Sequence, residues 1–262
     1  MDRKMLLVER QEAVCTLTLN CPERRNTLSP ELLLSLAEAL TSLAKDPGVR
    51  ALVLRGAGRE AFSAGYEIGR IGEGVEEVPE GFEGPFDYAL HCLHEFPYPT
   101  IAMVYGYAVG GGLELAVTCD LRLAARDARL GITPAKLGVV YSPKGIHRFL
   151  QLVGPAVTRY LFFTGRLIDA RTAHAWGLVD QVFPPEELEE AAYALAREVS
   201  QNAPLSLKGT KRAIRLLTAY RGLPPAEEAE LRSLREQALR SEDLKEGQRA
   251  FSQRRSPHFT GR

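Results

Sequence analysis

Pro99-Thr100-Ile101-Ala102-Met103-Val104-Tyr105-Gly106-Tyr107-Ala108-Val109-Gly110-Gly111-Gly112-Leu113, followed at once by Glu114, is the stretch on which the reading of this chain turns. Thr100 to Val104 is an apolar run of the length of a buried strand, and it gives way to Gly106 and then to three successive glycines. Apolar residues resume from Leu113 to Val117, the pattern of a helix that begins where the glycines end. A strand therefore feeds a glycine turn that opens a helix. Glycines let a backbone approach a ligand closely, and a helix N-terminus presents unsatisfied N–H donors with a partial positive charge. Glu114 falls in the first helical turn, where a carboxylate beside such donors can move a proton or a water next to a stabilised oxyanion. A plainer role fits the same residues: the glycines let helix pack on strand, and Glu114 complements the helix dipole.

Outward from this stretch the chain alternates. Lys4–Val8 and Ala13–Leu19 read as a hairpin, and Ser29-Pro30-Glu31 caps a helix that runs to about Ala44. Val49–Leu54 is a buried strand leading to Ser63-Ala64-Gly65-Tyr66, a second glycine site placed after a strand as the first is. Residues 68–85 are rich in glycine and glutamate without a period, which predicts a long loop of the kind that walls a pocket. A helix follows over 86–96. Beyond Glu114 come a strand at 121–125, a single turn at 133–137, helices at 142–152, 154–163 and 169–176, and a strand at 178–182. This regularity predicts an α/β layer architecture. From Pro185 onward the pattern is helical, so the chain divides into 1–200 and 201–262.

Composition narrows the function. The 262 residues are 45% hydrophobic and 25% charged, with 33 basic against 33 acidic side chains. A zero net charge gives no reason to expect a nucleic acid or a membrane surface as partner. With no apolar run of about 18 residues and an N-terminus charged from Asp2, the expected location is cytoplasmic. Cys15, Cys21, Cys92 and Cys119 form no Cys-x-x-Cys pair and are expected to be reduced core residues, and the five histidines show no metal-ligand spacing.

The two glycine sites, with Pro22–Leu28, the Thr-Gly-Arg and Ala-x-x-x-Gly-Leu-Val elements between Phe163 and Val182, and the terminal Phe251–Phe259, resemble the crotonase family, the enoyl-CoA hydratase/isomerase superfamily. The resemblance covers nearly the whole chain. It implies a spiral of repeated β-β-α units followed by a helical region that builds homotrimers, often paired into homohexamers. It also implies an acyl-CoA thioester as substrate, with no cofactor beyond its coenzyme A moiety. The thioester oxygen would lie between the backbone N–H groups of Tyr66 and Gly111, an oxyanion hole, while the coenzyme A portion would lie against Arg24, Arg25 and Ala64, with Phe259 reaching in from an adjacent subunit.

Hydratases of this family add a second glutamate about twenty residues after the first. Here the first is Glu114, and Pro134 occupies the second position, which leaves no proton to give. Thr133-Pro134 with Leu137-Gly138-Val139 and Tyr141 is similar to the methylmalonyl-CoA decarboxylase branch, in which a tyrosine at this place faces the acyl group. The histidine that this branch carries after Ser-Ala-Gly is Tyr66 here. The leading expectation is hydration or dehydration of a 2-enoyl-CoA with Glu114 as sole carboxylate. The alternatives are a decarboxylase or other enolate-forming enzyme using Tyr141, an enoyl-CoA isomerase, and a binding subunit of little activity. A buried ring is the plainer role for Tyr141, solvated charge for Glu67, and packing for His91 and His94.

Overall fold

The computed structural model describes residues 4–71, 78–219 and 222–261. The hairpin is present as β1 (Leu6–Gln11) and β2 (Val14–Leu19), paired antiparallel. Helix α1 (Pro30–Leu43) starts where Ser29 Oγ accepts the Leu32 N–H and proline takes the first helical position; its apolar stripe, Leu32, Leu33, Leu36 and Leu40, is buried. Next come β3 (Ala51–Gly56), β4 (Ala61–Ser63) and α2 (Pro85–Glu95), then β5 (Thr100–Val104), β6 (Tyr107–Val109) and α3 (Gly111–Thr118). The third repetition is β7 (Leu121–Ala125), β8 (Arg129–Gly131) and α4 (Pro143–Thr164).

Each repetition gives its first strand to one sheet and its second to another. Among the described residues the larger sheet has the order β1-β2-β3-β5-β7-β10 and the smaller β4-β6-β8-β9, with β9 at Ile168–Asp169 and β10 at Gln181–Phe183. Strands β2, β3, β5, β7 and β10 run parallel. This is the expected β-β-α spiral. Alternate residues of the larger sheet pack into two different clusters: Leu52, Leu54, Ala102 and Val104 join α1, α2 and α3, whereas Ala51, Val53, Ile101 and Met103 meet Leu188, Ala192 and Ala196 of α6 (Leu188–Gln201). A strand covered on both faces reads as a continuous apolar run.

Several boundaries differ from the sequence reading. Helix α3 starts at Gly111 rather than Leu113, because glycines provide its first turn. The three-residue strands β4, β6 and β8 carry too few residues for a period to show. The expected strand at 178–182 lies at Gln181–Phe183, since 178–180 turn after α5 (Ala170–Ala175). The helices expected at 142–152 and 154–163 are the two stretches of α4, separated at Gly154, whose φ 70° and ψ 174° are not helical, just before Pro155. In the expected loop 68–85, Ile68–Arg70 is a 3-10 turn, Pro85 already belongs to α2, and 72–77 lie outside the described residues.

After Asn202 the described residues form α7 (Pro204–Thr218), α8 (Pro225–Arg240) and α9 (Glu242–Ser252). Helix α7 is tied to the core by a buried cation: Lys211 Nζ donates to Asp120 Oδ2 at 2.6 Å and to the Tyr98 carbonyl at 2.9 Å. Asp120 also accepts from the Thr100 N–H and hydroxyl. Lys211 is 7% exposed, so its charge depends on these partners. Lys211→Met keeps the stem and removes the charge. Breaking a fully buried pair costs about 3–5 kcal/mol; because water still reaches Asp120, we expect about 2 kcal/mol lost, read as a lowered urea midpoint.

Candidate active site

One cavity of about 860 Å³ brings the two glycine sites and the segment after Pro134 to a common wall. That is the size of a small-molecule site. Tyr66, Gly111, Glu114, Pro134 and Tyr141 all line it, as does Ala64, which is exposed. The other wall comes from Phe86 and Asp87 of α2 and from Arg232, Arg235 and Leu239 of α8.

The two glycine sites meet because each lacks a side chain where the other approaches. Gly110 takes φ 54° and turns the chain from β6 into α3. A methyl group on Gly112 would stand 2.5 Å from the Ser63 carbonyl oxygen, so only glycine lets α3 sit on the end of β4. A methyl on Gly111 would lie 3.4 Å from the Tyr66 nitrogen. Tyr66 pairs with Leu28 in a parallel bridge that uses the Gly65 carbonyl and the Glu67 N–H, which turns the backbone groups of Tyr66 away from Leu28. Gly111 is the first residue of α3, where a backbone N–H has no partner inside the helix. Two N–H groups therefore stand next to each other at the start of one helix, an arrangement suited to one developing oxyanion.

Glu114 lies on the same helix and is 1% exposed. Its Oε1 accepts from Arg148 Nη1 at 2.6 Å. Burial pushes its pKa above the usual carboxylate range, and the Arg148 guanidinium and the Tyr141 hydroxyl pull against that shift. The Tyr141 hydroxyl is itself buried and makes no hydrogen bond of ordinary geometry. Its pKa is pushed well above 10 by burial and by the facing Glu114, so the phenol is neutral at working pH. Its ring stands edge-on to Phe162, 5.2 Å between centroids. Pro134 opens a 3-10 turn over 134–137, so the wall has no carboxylate where a second glutamate was expected.

Arg24, Arg25 and Phe259 are not among the described residues of this wall. Arg24 pairs with Glu67 and Arg25 Nε with Glu60 at 2.6 Å, both on the surface. Glu67 is accordingly an ion-pair partner and not a solvated charge, because the bridge between Leu28 and Tyr66 brings it over Arg24. Phe259 is on the terminal tail, held beside α9 by the Thr260 and Gly261 N–H groups on Asp243. His91 packs on Phe82, with 4.9 Å between ring centroids, and His94 is half-buried with its pKa lowered by burial.

Sequence reasoning missed Arg148. No local motif marks it: Gly145 and Arg148 lie one turn apart on one helix face, and only the fold shows that this face meets Glu114. It also missed α8 as a wall, since that helix carries no motif.

Comparison with known proteins agrees with this architecture. The enoyl-CoA hydratase/isomerase family model matches residues 9–262. A Thermus thermophilus protein provisionally named an enoyl-CoA hydratase is 44% identical over 97% of this chain and 100% of its own length. A carnitinyl-CoA dehydratase of Salmonella arizonae is 35% identical over 98% of each chain. Among solved structures, methylmalonyl-CoA decarboxylase in complex with 2-nitronate-propionyl-CoA superposes with a TM-score of 0.91 at 31% identity over 99% of both chains. With a matching family model over nearly its full length and the paired glycine sites at one cavity, the chain belongs to the enoyl-CoA hydratase/isomerase family of acyl-CoA enzymes.

Proposed function

We propose that the protein adds water to, or removes it from, a 2-enoyl-CoA, with Glu114 as the single carboxylate acid and base. The observation that carries this reading is the placement of Glu114: buried in the cavity, three residues along α3 from Gly111, with an arginine on one oxygen. In hydration Glu114 takes a proton from water as the water oxygen attacks Cβ. The alkene electron pair moves onto the thioester oxygen, which the Tyr66 and Gly111 N–H groups receive as an oxyanion. Glu114 then returns the proton to Cα, so one water is added in sum. Dehydration runs the same steps backward. No cofactor beyond the coenzyme A of the substrate takes part. The names of the 44% and 35% identical relatives support a hydratase or dehydratase.

A second reading has its own support. Methylmalonyl-CoA decarboxylase gives a TM-score of 0.91, and Tyr141 shares the cavity with Glu114. In decarboxylation the bond from Cα to the carboxylate breaks, CO₂ leaves, and the electron pair forms the same enolate. The oxyanion donors are then essential, a second glutamate is not, and Tyr141 would orient the departing group or return the proton.

The two readings order two substitutions oppositely. Under hydration, Glu114→Gln lowers kcat at least about a hundredfold, as for loss of a general acid/base, and Tyr141→Phe costs much less. Under decarboxylation the order reverses. Turnover of crotonyl-, 3-hydroxyacyl-, 3-enoyl- and malonyl-type CoA esters, followed by product mass, decides between them; small and equal effects of both substitutions on every ester would reject both. Gly111→Pro tests what the readings share. Proline suits the first helical position, so the fold is expected to persist by circular dichroism while one donor is lost, at about 3 kcal/mol of transition-state stabilisation. Activity within a few-fold of wild type would sink the oxyanion-hole assignment.

We further propose a homotrimer or a pair of trimers built through the region after residue 200. Helix α7 leaves Ile214 and Leu217, one turn apart on one face, at 56% and 83% exposure, apolar surface that favours burial. Sedimentation at micromolar concentration is expected to give three or six chains, and a monomer would contradict it.

A further inference from the structure

Arg148 stands one helical turn after Gly145 on α4, and both face Glu114. A methyl group on Gly145 would be 2.9 Å from Glu114 Oε1 and 2.7 Å from the Tyr141 ring, so α4 is pressed against the carboxylate as closely as a backbone allows. The guanidinium then reaches Oε1 from the side, with Nη1 at 2.6 Å. Arg148 also lines the cavity, and its side chain is 20% exposed against 1% for Glu114. The pair therefore stands where the acyl group is expected, not in the core of the fold.

We propose that Arg148 is a positioning residue: it pins Oε1 of Glu114 and keeps the carboxylate ionised, so that proton exchange with the substrate runs through the other oxygen. This rests on the reading of Glu114 as acid and base given above. A planar guanidinium presents its donors in a fixed fork, which orients a carboxylate as well as neutralising it. A carboxylate this deeply buried favours its protonated form, and a protonated Glu114 cannot accept a proton from water or from Cα. The cation opposes that tendency.

The surrounding charges leave this task to Arg148. Helix α2 brings Asp87, whose negative charge favours protonation of Glu114 and which is itself engaged by Lys144 at 3.1 Å. Tyr141, from the segment before α4, is a neutral phenol across the working range. His94, also on α2, is held toward its neutral form by burial and by Arg148, Arg215 and Lys211.

The sign of the pH effect follows. Without Arg148 the Glu114 pKa rises further, the ionised fraction at pH 7 falls, and activity is recovered only at higher pH. His94 loses a repelling cation in the same variant, so the measurement is made in a His94→Asn background, which removes its titration.

The test uses the full chain with Arg148→Gln and Arg148→Lys. Ionisation of Glu114 is followed as the carboxyl infrared band that Glu114→Gln lacks, and kcat/KM is measured for crotonyl-CoA from pH 5.5 to 9. For Arg148→Gln, the infrared midpoint and the acid limb of kcat/KM are expected to rise together by about one pH unit or more. Activity at pH 7 is expected to fall at least tenfold and to return within a few-fold of wild type near pH 9, with KM little changed. Arg148→Lys keeps the charge but not the fork, so its limb stays near that of wild type while kcat falls about tenfold. An unmoved infrared midpoint in folded Arg148→Gln overturns the proposal, and so does a uniform loss of activity at every pH. Should Arg148→Gln not fold, Arg148→Lys decides alone, and wild-type kcat there overturns it. If the wild type does not turn over crotonyl-CoA, the hydratase reading fails, and the infrared midpoint by itself supports or rejects the setting of charge by Arg148.

Discussion

The structure depends on one close approach: the start of α3 against the end of β4, with Gly112 on the Ser63 carbonyl. Hard-sphere contact sets this distance, and a single methyl group would open it. The spiral makes the approach possible, because each β-β-α turn delivers a strand to both sheets and so brings the ends of β4 and β6 side by side. Nothing in either glycine site alone fixes where its N–H group points. Their relation is fixed by the register of β4 on β6 and by the bridge from Leu28 to Tyr66. As the oxyanion donors proposed above, groups held in this way would need little reorganisation as charge develops on an oxygen between them.

The same packing creates an electrostatic problem. Burying a carboxylate on α3 costs several kcal/mol unless it is neutralised or paired. The chain meets that cost with Arg148, and Gly145 makes room for α4 to bring it near. The pairing does not cancel the penalty, since burial still outweighs the cation and the pKa of Glu114 stays above its ordinary value. Under the hydratase reading proposed above, this one residue carries the proton in both directions, because the second carboxylate position is a proline.

What the sequence disclosed follows from how far each signal reaches along the chain. The two-sided burial of the larger sheet is visible because Ala51–Leu54 and Ile101–Val104 are apolar without a break, and α1 is visible because cap and stripe lie within fifteen residues. The motif residues Tyr66, Gly111, Glu114 and Tyr141 were named from the chain alone, and the fold lines one cavity with all four. The smaller sheet was not legible: β4, β6 and β8 are three residues each, and their paired residues are 22 to 46 positions apart, as Tyr107 with Arg129 and Ala61 with Tyr107 show. Arg148 was invisible for a related reason. An arginine on an amphipathic helix looks like solvated charge until the Gly145 side of α4 is known to face a buried glutamate.

The two ends of the cavity obey different physics. Around Glu114 the walls are strand ends, the glycine turn and an ion pair with one partner almost fully buried, and low local dielectric makes displacement of any of these expensive. Toward α8 the wall is joined to the segment before α2 by Arg235 on Glu83, and α2 is joined to α4 by Lys144 on Asp87, pairs with one partner about half exposed. Exposed pairs of this kind contribute about 0–1 kcal/mol and weaken in salt. The fold thus fixes the atoms nearest the chemistry and leaves the opposite wall free to adjust at small cost.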